Sequence, residues 1–291
     1  MFRLPPLPDD LPWAMPAYLL VDGVSASSLP QPLHDWSNPT YCLYQGTRWH
    51  ELSDISPCLL ALTGECDSLL TYYQQTAAFE WGYLLFSHAD APTLCAHWRR
   101  LLTVEHPSGI QVMPRIADPA VIHPLLSLAH QAQSARWFGP VDQVCLPDSF
   151  QAVWHQHTRP EHARPHAGEI YRLTDEELTA LEEVTFRRAV FALNDHLHTY
   201  FPEFKASASA QQRLRHIERL AQEAYQYGFT SEQEITLYAN VFGYLGEQPL
   251  AAHADIVELL TVPTTQSPLN RVQRAAELAC SRAADSQGGR R

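Results

Sequence analysis

YLLVDG at residues 18–23, YCLYQGT at 41–47, DISPCLLAL at 54–62, WGYLLFS at 81–87, HWRRLL at 97–102, MPRIADP at 113–119 and WFGP at 137–140 are short apolar runs closed by turn residues. Runs of four to six apolar residues bounded by Gly, Pro or Asp read as strands, here at 18–21, 41–44, 58–62 and 81–86, with Gly46 and Gly64 marking turns. Between them, 68–77 reads as a helix. Pro92 opens a second one, where Leu94, Trp98 and Leu101 recur at three- and four-residue spacing. The stretch 110–116 is expected to be a strand. Asp118-Pro119 is a cap followed by proline at the first helical position, starting a helix with Val121, Leu125 and Leu128 on one face. Late strands are expected at 141–146 and 150–154. Strands alternating with helices argue an α/β layer structure over residues 16–155, of unspecified strand order.

The period then changes. Residues 156–172, polar and broken by prolines, read as a linker, and 173–285 as a helical lobe. Thr174 with Glu177, and Ser231 with Glu234, form capping boxes. Val190, Leu193, Leu197 and Phe201 lie at helical spacing until Pro202, and Leu214, Ile217, Ala221 and Ala224 repeat the pattern before Gly228. Ile235, Tyr238, Phe242 and Leu245 follow in register, with further helices at 256–260 and 269–283. The fold expected is α/β and two-lobed, an α/β amino-terminal lobe followed by an all-helical one.

Composition narrows the function. With 45% hydrophobic and 18% charged residues, the 291-residue chain is an ordinary globular one. Its formal charge of −12 and lack of any basic cluster beyond pairs such as Arg99-Arg100 argue against nucleic acid and anionic membrane as partners. Lys205 is the only lysine, which reads as a compositional bias. Six cysteines are scattered without a C-x-x-C pair, as expected in a reducing cytoplasm. The start, MFRLPPLPDDLPWAMP, carries five prolines and reads as an extended arm rather than a signal peptide.

In this order and spacing, the words across 18–140 resemble the domain of unknown function 4123, the adaptor or chaperone family that loads toxic effectors onto the spike of bacterial type VI secretion systems. The resemblance implies a cytoplasmic, non-enzymatic protein without cofactor. Its implied partners are a cognate effector and the spike protein VgrG, and it is not itself secreted. The positions matching the signature are Asp22, Gly23, Pro57, Arg115, Asp118, Pro119, Phe138, Gly139 and Pro140, none with an implied catalytic role. The chain departs from the family pattern in carrying Cys58 after Pro57, where an aromatic is more usual. The helical lobe resembles the carboxy-terminal extension of many members.

Several groups invite a chemical reading. His155, His157, His162 and His166 could ligate zinc or copper, as in a metal-dependent hydrolase, but Pro160 and Pro165 break any helix that would stack them, so a linker is preferred. Arg115, Asp118 and Asp22 could form an acid, a base and an anion clamp; a helix cap with a turn-fixing ion pair is the preferred reading. Trp137 and Phe138 are either core or an exposed anchor. No G-x-S-x-G, H-E-x-x-H, phosphate loop or G-x-G-x-x-G occurs. Asp175, Glu176, Glu177, Glu182 and Glu183 form a solvated helix face or a steering patch. Tyr225, Tyr227, Tyr238 and Tyr244 are expected at the surface of the helical lobe. There they would grip the effector, with Glu182 and Glu183 steering its approach.

Overall fold

YLLV and GYLLF are apolar at every position because both strands are covered on both faces. The computed structural model describes residues 3–27, 29, 36–161, 170–246 and 248–288. In chain order the α/β part comprises β1 (Ala17–Val21), α1 (Gly23–Ala26), β2 (Thr40–Cys42), β3 (Cys58–Ala61), α2 (Ser68–Thr76), β4 (Gly82–Phe86), α3 (Ala91–Leu101), β5 (Val104–Glu105), β6 (Gln111–Val112), α4 (Pro119–Gln131), β7 (Gln143–Asp148) and β8 (Val153–Thr158). Six of the strands form one sheet in the order β2-β3-β1-β4-β7-β8, and every ladder in it is antiparallel.

Successive side chains of a strand point to opposite faces, so the central strands feed two cores. Tyr18, Leu20, Tyr83, Leu85, Val144 and Leu146 face α3 and α4, meeting Leu94, Trp98, Val121 and Leu125. Leu19, Val21, Leu84, Phe86 and Cys145 face α2, meeting Leu69, Leu70 and Tyr73. The proline-rich arm packs on this second side: Leu11 is buried there, Leu4, Leu7 and Trp13 are partly so, and the Pro5 carbonyl accepts from the Trp154 indole at 2.8 Å. Buried tyrosine hydroxyls are satisfied, Tyr73 donating to the Gly82 carbonyl at 3.0 Å and Tyr83 to that of Ile116 at 2.6 Å.

Two strand expectations need correction. Of 110–116 only Gln111 and Val112 are strand, paired with β5 in a separate two-stranded sheet. Pro114 has no amide to continue the ladder, and Ile110 is 65% exposed. The strand expected at 150–154 begins instead at Val153 and extends to Thr158, following a turn in which Ala152 takes a positive φ of 57°.

The helical part comprises α5 (Asp175–Tyr200), α6 (Ala210–Gln226), α7 (Glu232–Leu245), α8 (Ala254–Thr261) and α9 (Pro268–Gly288). The chain divides into two compact units, Met1–Val184 and Thr185–Arg291, so the division falls within α5 and not in 156–172. Residues expected in the linker or helical lobe belong to the first unit: Tyr171, Leu173 and Val184 are buried in its core. At the head of α5, Thr174 Oγ1 accepts from the Glu177 amide at 3.1 Å while Glu177 Oε2 accepts from the Thr174 amide at 2.9 Å. The second unit buries Val190, Leu193, Leu197, Leu214, Ile217, Ile235, Val241 and Val272, and both α6 and α7 start with capping boxes, Ser209–Gln212 and Ser231–Glu234. No described helix is long and apolar enough to cross a membrane.

Candidate functional site: the signature corner and its surroundings

Asp22 ends β1 and caps α1, its carboxylate accepting from the Ser25 amide at 3.0 Å. The same carboxylate receives the Arg115 guanidinium, which also donates to Ser25 Oγ at 2.9 Å and lies 3.7 Å from Asp118. Asp118 in turn caps α4 through the Ala120 amide at 2.9 Å, with Pro119 in the first turn. A carboxylate this buried needs a counter-charge, and Arg115 supplies one across 93 residues of chain. Burial is the largest influence and works against the Arg115 charge, but the bond to Asp22 together with the charges of Asp22 and Asp118 overcomes it, and the pKa is raised. Nearby, burial and then the Asp22 charge raise the Tyr44 pKa. Gly23 is obligatory here, because a Cβ would sit 2.4 Å from the Ser56 carbonyl oxygen. Pro57 is buried, and its carbonyl accepts from the Leu43 amide at 2.9 Å. Apart from Arg115 Nε, which is buried without a hydrogen-bond partner among the described residues, these polar groups are spent on caps, turns and one another.

The WFGP corner is interior. Trp137 and Phe138 are fully buried. Gly139 takes a φ of +55° with the His97 ring where its Cβ would be, and His97 Nε2 lies 3.2 Å from the Trp137 carbonyl oxygen. Burial pushes the His97 pKa down to about 4. The Pro140 carbonyl accepts from Ser87 Oγ at 2.7 Å. Glu177, also buried, accepts from the Trp137 indole at 2.7 Å and the Tyr171 hydroxyl at 2.5 Å. Sequence reasoning placed Glu177 at a helix start but had no signal for these two distant donors.

The histidine group is corrected. His155 and His157 are strand residues of β8, not linker residues, and His162 and His166 lie outside the described residues. His123 of α4 joins the strand pair: its ring stacks on that of His155 at 3.9 Å, and its Nδ1 lies 2.8 Å from His157 Nε2. Burial, and then the neighbouring His123, push the His157 pKa down to about 3. His155 Nε2 is 3.3 Å from the Asp148 carboxylate. Among the described residues no group of three His, Cys, Asp or Glu side chains could hold a metal ion. His123 was missed. Its seven-residue spacing from His130 on one helix face was the available signal.

The four tyrosines separate. Tyr225 and Tyr227 are 45% and 39% exposed, Tyr244 is half-buried against Phe201, and Tyr238 is buried with its hydroxyl 3.4 Å from Glu223. Tyr238 is therefore a core residue and not a surface anchor. Glu182 and Glu183 are exposed on α5, within the first unit.

The model of the domain of unknown function 4123 matches residues 17–136. That span begins at β1, holds Asp22, Arg115 and Asp118, and ends before β7. Among curated proteins, accessory protein VasW of Vibrio cholerae serotype O1 is 30% identical over 275 residues, covering 93% of this chain and 90% of VasW. No solved structure matches.

Proposed function

The chain belongs to the family of the domain of unknown function 4123, and from that premise we propose that it is an adaptor of bacterial type VI secretion. In this reading it is a non-enzymatic, cytoplasmic chaperone that binds a cognate toxic effector and delivers it to the tip of the VgrG spike. The observation that carries the reading is the length of the likeness to VasW, which extends through the helical unit as well as the α/β unit. The site geometry supports it: the buried charges of the signature corner are consumed in caps and turns, as suits a rigid scaffold. In this reading the helical unit contacts the effector, with Tyr225 and Tyr227 as the exposed aromatic anchors and the half-buried Tyr244 as a further contact.

Co-expression with the effector and spike proteins encoded beside it tests this directly. Both should co-purify with the chain in one complex. Recovery of the chain with neither would end the adaptor reading.

A further inference from the structure

We propose that Cys42 and Cys58 form a reversible oxidation site, closing to a disulfide that staples the edge strand β2 onto β3 when the protein meets a hydroperoxide. The two residues are direct partners in the β2–β3 ladder, and their sulfurs lie 3.2 Å apart, a contact between two thiols. The hydrogen bond from the Leu43 amide to the Pro57 carbonyl, at 2.9 Å, fixes the phase of that ladder. It makes 43/57 a hydrogen-bonded position, so 42/58, one step along, is a non-hydrogen-bonded pair. Facing Cα atoms at such positions are about 4.5 Å apart, inside the range a disulfide spans. Closure therefore needs little backbone movement.

The two thiols differ in access. Cys42 is half-exposed, on a surface depression lined among the described residues by Ala26, Trp36, Thr40, Ser53 and Cys58. Cys58 is buried, which pushes its thiol pKa up. This assigns the order of events. The Cys42 thiolate attacks the hydroperoxide, breaking its O–O bond to give a sulfenic acid and releasing the alcohol or, from hydrogen peroxide, water. The Cys58 sulfur then attacks the sulfenic sulfur, the S–S bond forms, and the hydroxyl leaves with the Cys58 proton as a second water. Two thiols are oxidised by two electrons and one peroxide is reduced. A dithiol reductant reverses the process.

The staple has local consequences. β2 has three residues, and Pro39 before it and Pro57 before β3 lack amides to donate to the ladder. Its attachment also relies on Arg99, which donates to the Cys42 and Leu43 carbonyls at 3.1 and 3.0 Å. A covalent tie would close the loop 43–57, which carries the Ser56 carbonyl against Gly23.

The test uses the full chain with the exposed Cys66→Ser and Cys280→Ser replaced, so that four of its six thiols remain. One equivalent of hydrogen peroxide should lower the thiol count of this folded variant from four to two, and peptide mapping should find a Cys42–Cys58 linkage that reductant dissolves. In a further Cys58→Ser variant, Cys42 should accumulate as a sulfenic acid trapped by a dione reagent. Loss of thiols without that linkage, or a linkage of Cys42 to Cys95, would overturn the proposal, as would four thiols surviving the peroxide. The site does not rest on the adaptor reading, and its failure would leave co-purification with effector and spike untouched.

Discussion

Removing the Arg115 guanidinium would leave the Asp22 carboxylate buried with, among the described residues, the Ser25 amide as its remaining hydrogen-bond partner. Stranding a buried charge costs a few kcal/mol, so Arg115→Ala is expected to destabilise the first unit by about 3 kcal/mol, read as a lower denaturant midpoint. Arg115→Lys should recover only part of this, since an ammonium cannot reach Ser25 Oγ and both carboxylates at once. A second expectation concerns His97, whose folded pKa of about 4 lies below the unfolded value near 6.5. The unfolded chain takes up this proton first. Stability is therefore full above about pH 6.5 and lost as the pH falls toward 4, the loss approaching about 3 kcal/mol. His157, with a folded value of about 3, adds to the same decline. Denaturant titrations of the native protein and of His97→Gln at pH 7 and pH 4.5 should show a smaller difference in the variant. Equal differences would remove His97 from the acid sensitivity.

At the scale of the element, α5 begins on a carboxylate that serves three donors: the Trp137 indole, the Tyr171 hydroxyl and the Thr174 amide. Glu177→Ala would remove the acceptor of two buried donors, on Trp137 and Tyr171, and of the more exposed Thr174 amide, and should cost about 3 kcal/mol or more, against about 1 kcal/mol for Ser231→Ala at the exposed head of α7. Comparable losses in the two variants would mean that the Glu177 network relaxes onto water. The contrast shows what the sequence could reveal. The caps at Asp118 and Thr174–Glu177 were legible because a cap is made by residues two or three apart. The indole that shares Glu177 comes from 40 positions earlier and left no local trace. β8 was misread for the same reason: His155 and His157 look like solvated linker residues until His123 of α4 is placed beside them. β6 was overextended because an apolar run states a strand's existence, while its length depends on a partner such as the two-residue β5.

For the whole molecule, the adaptor reading separates rate from grip. Charge reversal at the exposed Glu182 and Glu183 should slow association with the effector at low salt and matter little at high salt, because screening shortens the reach of such charges to roughly 8 Å at physiological ionic strength. Alanine at Tyr225 and Tyr227 should speed dissociation at both, each anchor being worth about 2 kcal/mol. If those alanines leave the dissociation rate unchanged, the effector is held elsewhere. Two-lobed organisation was legible from the change of period after residue 155, whereas the dividing point inside α5 was not, since a helix crossing between units keeps one unbroken pattern.

The position of β1 also sets a schedule for the growing chain. Of the six strands of its sheet it leaves the ribosome first, yet it is interior to the sheet, and the ladder that seals its neighbour β4 joins Leu84 to Cys145 across some sixty residues. Contacts so distant in sequence close slowly. Until β7 is synthesised, the β4 edge carrying Leu84, Leu85 and Phe86 stands open as a template for another chain. A fragment of residues 17–136 freezes that moment, because it holds β4 but not β7. It should self-associate in a concentration-dependent way where the full chain does not, and a monodisperse, folded fragment would show that β4 tolerates an open edge. The protein's own birth thus includes an interval in which it needs the kind of shielding proposed here as its service to others.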